Sequence, residues 1–137
     1  MPVTIDGRYR GELGTEVTHG PSGTRWIVAT PLDGQVEPTS FSPTDLVASA
    51  VGTCIMAILG IIARREGIDL EGSTFRVEKV MQRSPRRIAA LPVTLHLPGG
   101  LTRNQKRKLE RGALTCPVHR GLSEGIEKPV SFVYADD

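Results

Sequence analysis

Residues 46–63 read Leu-Val-Ala-Ser-Ala-Val-Gly-Thr-Cys-Ile-Met-Ala-Ile-Leu-Gly-Ile-Ile-Ala, without one charge. A run of about 18 apolar residues approaches the length of a membrane span. Ser49, Gly52, Thr53 and Gly60 dilute it, Arg64-Arg65-Glu66 closes it, and no second such run follows. These features favour a core helix, buried nearly all round by sheet or by a partner subunit, over a span. Its limits are written in the flanks. Ser42 suits the N-cap, Pro43 the first helical position and Asp45 the third, while Gly67 suits a left-handed stop. At about 1.5 Å per residue such a helix is roughly 36 Å long, which is long for a chain of this size.

A chain of 137 residues is enough for one domain with a real core, so residues 1–137 are expected to form a single domain. With 39% apolar residues but only 4% aromatics, that core must be aliphatic. Before the helix, Tyr9, Gly11 and Leu13 alternate with polar neighbours, Gly20-Pro-Ser-Gly23 is turn chemistry, and Trp26-Ile-Val-Ala resumes a strand. Pro31, Gly34 and Pro38 mark a loop. After the helix, Phe75-Arg-Val-Glu-Lys-Val predicts a strand and a basic loop follows. Residues 88–97 predict another strand, with Leu91, Val93, Leu95 and Leu97 on one face and Pro92 implying an edge or a bulge. Thr102-Arg-Asn-Gln105 is a capping box for a helix through Leu114, Pro117 opens a short helical turn, and Val130-Ser-Phe-Val-Tyr134 is a last strand. The order predicts an α+β fold.

Two cysteines stand in different settings. Cys54 is in the middle of the long helix, where a cysteine is usually a small hydrophobe. Small neighbours, Gly52 and Thr53, leave room for another element or a substrate near the sulfur. Cys116 precedes Pro117 and so falls at a helix N-cap, where unsatisfied amides favour a thiolate and His119 and Arg120 add positive charge. Two cysteines are too few for a secreted disulfide scaffold, and Met1-Pro-Val-Thr-Ile-Asp lacks a signal-peptide pattern. A reducing cytoplasm is the expected location, with thiol redox chemistry as the leading reading.

Other chemistries fare less well. Cys116 and His119, joined by His19 and His96, are the material for a metal site, but they supply only one short-spaced pair, and no metal is expected. Arg103-Asn-Gln-Lys-Arg-Lys108 and Arg111 form a basic stretch without interleaved aromatics, interrupted by Glu110. With 17 basic and 15 acidic residues overall, no nucleic-acid partner is expected. No phosphate-binding loop, dinucleotide fingerprint or nucleophile elbow is present.

Three segments together resemble the osmotically induced protein C / organic hydroperoxide resistance (OsmC/Ohr) family. They are Phe41-Ser-Pro-Thr-Asp-Leu-Val-Ala-Ser-Ala-Val-Gly-Thr-Cys54, Arg65-Glu-Gly-Ile-Asp-Leu-Glu-Gly72 and Cys116-Pro-Val118. The similarity runs from about Tyr9 to Tyr134. It implies an OsmC-like fold with antiparallel sheets around a long central helix, in an intertwined homodimer. It also implies a cysteine-based peroxidase, without cofactor, that reduces small organic hydroperoxides in an oxidative stress response. Cys54 matches the peroxidatic position and Cys116 the resolving one, which reverses the local reading of Cys116 as the more nucleophilic sulfur. An external dithiol would reduce the resulting disulfide. The family's peroxidases carry a glutamate just after the helix-start proline, where this sequence has Thr44 followed by Asp45. They also stabilise the thiolate with an arginine near the N-terminal meander, for which Arg10 is the first candidate, then Arg8 and Arg25. The alternative is a non-catalytic, small-ligand-binding or stress-associated dimer of the same fold.

Overall fold

Ser42 and Asp45 start the long helix by exchanging hydrogen bonds. The Ser42 amide donates to Asp45 Oδ2 at 2.9 Å, and the Asp45 amide donates to Ser42 Oγ at 3.2 Å. In the computed structural model, which describes residues 2–30 and 40–136, helix α1 spans Pro43–Glu66. It ends where Gly67 takes a left-handed φ of 68°, open to glycine without steric cost. The chain divides into two compact units, Met1–Leu46 and Val47–Asp137, so α1 starts in the first and runs on in the second.

The first unit carries β1 (Ile5–Gly11), β2 (Gly14–His19) and β3 (Arg25–Ala29), paired antiparallel in the order β1-β2-β3. Leu13, read above as part of a strand, instead lies in the β1–β2 turn, where Glu12 and Leu13 have φ of 52° and 62°. Two residues at positive φ suit a hairpin that follows the strand twist, although non-glycine residues rarely adopt it. The sheet covers little of its own apolar surface: Ile5, Tyr9, Trp26 and Ile27 are all exposed. The loop expected at Pro31, Gly34 and Pro38 lies outside the described residues.

In the second unit, β4 (Thr74–Val77), β7 (Val93–Leu97) and β8 (Val130–Tyr134) form a sheet in the order β4-β7-β8. Beside it, β5 (Val80–Arg83) and β6 (Arg86–Ala90) make a hairpin. Helices α2 (Arg103–Ala113) and α3 (Pro117–Gly121) lie between β7 and β8 in the chain. The segment read as one strand and a basic loop is therefore β4 followed by the β5–β6 hairpin. Likewise, residues 88–97 are two strands broken at Leu91-Pro92. The β1–β2–β3, β4–β7 and β5–β6 pairings are antiparallel as expected, whereas β8 runs parallel to β7. A helical crossover such as α2–α3 is what a parallel neighbour requires.

Pro92 precedes the central strand β7 rather than lying at an edge. The ladder tolerates it because its neighbours make the bonds. The Leu91 amide donates to Glu127 O at 2.8 Å and the Val93 amide to Pro129 O at 2.9 Å. The inner residues Leu91, Val93, Leu95 and Leu97 are buried as their alternation predicts. They form one apolar cluster with Val51, Ile55 and Leu59 of α1, Leu109 and Ala113 of α2, Cys116 and Tyr134. Each fully buried Ile or Leu contributes roughly 1.5–3 kcal/mol. Glycine permits two close approaches, Gly52 of α1 beneath the Phe75 ring and Gly112 of α2 against Ile62.

Within one chain α1 is not buried all round. Ala48, Val51, Gly52, Ile55, Leu59 and Ala63 make the buried stripe, while Thr53, Ala57, Gly60 and Ile61 are exposed. The helix is long and apolar enough to cross a membrane by length and composition, but here that stripe is the centre of a helix-on-sheet core.

Candidate thiol site

Cys54 and Cys116 meet within the second unit. Both are free thiols, and they lie near enough for the Cys54 thiol to act on that of Cys116. Helix α1 presents Cys54 two residues beyond Gly52, beside rather than on its buried stripe, and the residue is half-buried. Cys116 is fully buried and caps α3, as its place before Pro117 predicts. Its Sγ accepts from the His119 amide at 3.3 Å.

The electrostatics correct the local reading of Cys116 as a thiolate. Burial pushes its thiol above the ordinary value and the hydrogen bond with Cys54 pushes further, against the opposing amides of His119 and Val118. Both effects favour the protonated form of Cys116. Helix α3 has only five residues, and its amides do not outweigh burial. The two sulfurs therefore differ in kind. Cys54 is half-buried, whereas Cys116 is fully buried.

The other candidates belong to the first unit. Arg10 Nη1 donates to Glu16 Oε2 at 2.6 Å, and Arg25 lies 4.0 Å from the same carboxylate. Arg8, Arg10 and Arg25 line one depression of about 560 Å³ together with Asp6 and Glu16. Asp45 takes part in the α1 capping box described above.

The histidines raised as metal ligands are dispersed. His19 pairs with Ser22 in the β2–β3 turn, His96 is exposed on β7, and His119 turns its ring to the Lys128 carbonyl at 3.0 Å. Among the described residues, no three His, Cys, Asp or Glu side chains are grouped to hold a metal. Part of the basic stretch on α2 is internally engaged, since Lys108 donates to Glu66 at 3.0 Å and Lys106 lies 4.4 Å from the Tyr134 ring centroid. The His119–Lys128 contact was not legible in the sequence, where His119 registered only as a charge and a possible ligand.

A helix-spanned α+β fold with two neighbouring thiols defines a class that the comparisons make specific. The chain belongs to the OsmC-like protein family, whose family model matches residues 34–128. It is similar to a crystal structure from Psychrobacter arcticus 273-4, named for osmotic stress induction and a detoxification response. The two are 34% identical, with a TM-score of 0.87 over 94% of each chain. An OsmC-like protein from Mycoplasma pneumoniae shares the fold at 11% identity, with a TM-score of 0.82 over 98% of this chain and 97% of that one. The organic hydroperoxide resistance protein OsmC from Legionella pneumophila does so at 20% identity, with a TM-score of 0.71 over 97% of both. None of the curated proteins matches this chain.

Proposed function

We propose that the protein is a cysteine-based peroxidase for small organic hydroperoxides. The observation that carries this reading is the nearness of a half-buried Cys54 to a fully buried Cys116. Relatives named for organic hydroperoxide resistance and a detoxification response support a peroxide-related role. In the first step the Cys54 thiolate attacks the distal oxygen of the hydroperoxide. The O–O bond breaks, the distal OH passes to sulfur to make a sulfenic acid, and the leaving alkoxide takes a proton from solvent to become the alcohol. Cys116 then attacks that sulfur, its proton goes to the departing hydroxyl as water, and a disulfide forms. An external dithiol reduces it by exchange and is itself oxidised.

In this reading Arg10 supplies the positive charge that favours the Cys54 thiolate, exchanging Glu16 for the sulfur. Asp45 takes the place of the family's helix-start glutamate. The working form is a homodimer, supported by the exposed apolar residues of the first unit and the uncovered face of α1, and its thiol chemistry suits a reducing cytoplasm.

Cumene hydroperoxide consumption with dithiothreitol as reductant tests the proposal. Wild type should turn over, Cys54→Ser should be inactive, and Cys116→Ser should form the sulfenic acid but no intrasubunit disulfide. Non-reducing peptide mapping of oxidised wild type should show one Cys54–Cys116 link. Free thiols at both positions after stoichiometric peroxide, or an active Cys54→Ser variant, would favour the non-catalytic ligand-binding dimer.

A further inference from the structure

Helix α3 is five residues long, too short to hold its own position, so whatever tethers it decides where Cys116 stands. One tether is packing: Cys116 is buried, and Val118 and Leu122 lie against the same core cluster. The other is His119. Its amide donates to Cys116 Sγ at 3.3 Å, and its ring Nε2 bonds the Lys128 carbonyl at 3.0 Å. A carbonyl only accepts, so Nε2 must carry the proton.

The segment that receives this bond is anchored on both sides. Glu127 and Pro129 give their carbonyls to Leu91 and Val93, and the Glu127 amide donates to Ala89 O at 3.0 Å. Between those two engaged carbonyls, the Lys128 carbonyl accepts from the His119 ring. Lys128 tightens the same loop, because its Nζ donates to Ser123 O at 3.1 Å and Ile126 O at 3.0 Å. The chain of contacts runs from β6 and β7, through residues 127–129, to His119 and then to Cys116.

We infer that His119 is a positioning residue: by latching α3 to the Lys128 carbonyl, it holds Cys116 where it can close on Cys54. The inference rests on the proposed pairing of the two cysteines. Disulfide closure tolerates little displacement, since the two Cα atoms must come within about 7 Å with a suitable dihedral. Losing the latch leaves α3 held by the packing of Cys116, Val118 and Leu122, without the directional bond to residue 128. Closure then suffers while the reactivity of Cys54 does not.

Closure is measured without peroxide, by equilibrating the protein with oxidised and reduced glutathione. Cys54 and Cys116 lose two electrons and two protons to one glutathione disulfide, giving two glutathione thiols. His119→Phe keeps the ring bulk and removes the donor, and should lower the closure constant at least tenfold, about 30 mV in potential. His119→Gln, whose carboxamide N–H can donate to the same carbonyl, should stay within threefold of wild type. Alkylation of Cys54 in a Cys116→Ser background should be the same with either residue at 119. A His119→Phe constant within twofold of wild type overturns the inference, as does a His119→Gln variant as impaired as His119→Phe.

A second measurement needs no variant. Nitrogen NMR of the reduced wild-type protein should show His119 protonated at Nε2, and a dominant Nδ1–H tautomer would remove the latch. If wild type closes its disulfide in glutathione yet does not turn over hydroperoxide, the peroxidase reading fails and the latch stands. If wild type does not close at all, the pairing and the latch fail together.

Discussion

Phe75 of β4 lays its ring on Gly52 of α1, over the place where any other residue would carry its Cβ. The contact fastens the helix to the sheet one half-turn before Cys54. Gly52→Ala gains about 1 kcal/mol of helix propensity. It also forces the Phe75 ring out of a packed site, an overpacking cost of roughly 1–3 kcal/mol. The ring is half-buried against the core cluster and must leave that packing to make room, so net destabilisation is expected. Phe75→Leu removes the ring, and in that background Gly52→Ala should be neutral or stabilising. Urea unfolding of the four proteins in a double-mutant cycle measures the coupling. Simple additivity would mean the ring and the glycine do not share the site.

Cys116 makes stability depend on pH at the alkaline end. Its folded-state pKa is raised, by burial first and then by the hydrogen bond with Cys54. A raised value means the folded protein holds the proton more tightly than the unfolded chain. The associated stability is fully present below the unfolded value of about 8.5, and it is lost as pH climbs toward the raised folded value. The loss from this one group can reach a slope of about 1.4 kcal/mol per pH unit. Urea unfolding under reducing conditions should show wild type losing stability between pH 8 and 10 faster than Cys116→Ala. Parallel curves for the two proteins would rule out Cys116 as the source.

How far the sequence announces this structure depends on whether the signal is local. The start of α1 is local, because Ser42, Pro43 and Asp45 satisfy the first amides among themselves, and Gly67 ends the helix where it stands. The Thr102–Gln105 box does the same for α2, with both reciprocal bonds present. Alternation from Leu91 to Leu97 is likewise readable, since one face is buried. The hairpin of β5 and β6 was hidden because Arg83, Arg86 and Arg87 mask its period and read as a basic loop. The parallel placement of β8 is a property of the crossover rather than of residues 130–134, so no local pattern carries it.

The site was legible only through family resemblance. No spacing rule joins Cys54 to Cys116, and the helix-cap argument for a Cys116 thiolate could not weigh the burial that raises its pKa. The His119 latch ends on a backbone carbonyl, which has no side-chain identity to read.

The first unit should be covered by a second copy of the chain. Trp26, the single tryptophan, is 59% exposed within one chain, and Ile5 and Tyr9 are 59% and 64% exposed. Isolated soluble chains seldom leave so much contiguous apolar surface uncovered. Light scattering should give near twice the chain mass of 14.8 kDa, and Trp26 emission should be blue-shifted as for a covered indole. Trp26→Asp should weaken the dimer. A natively folded monomer at micromolar concentration, with the emission of a solvated indole, would contradict the expectation.

Arg10 is the most demanding assignment, because its guanidinium has a carboxylate partner in Glu16 at 2.6 Å. An exposed pair of this kind is worth at most about 1 kcal/mol, so exchanging the carboxylate for a thiolate is not forbidden by energy. If Arg10 serves the thiolate, Arg10→Met keeps much of the bulk, removes the charge and slows peroxide reduction more than tenfold, a loss of about 1.4 kcal/mol or more. Glu16→Gln should act in the opposite direction, because it frees the guanidinium without removing it. Alkylation of Cys54 at pH 7 in a Cys116→Ser background follows the thiolate fraction directly. It should slow with Arg10→Met and hold or quicken with Glu16→Gln. Equal alkylation rates across the three proteins would exclude Arg10 and pass the test to Arg8 and Arg25, which line the same depression. If none of the three alters the rate, the thiolate has no cation from this sheet, and the ligand-binding dimer becomes the better description of the protein.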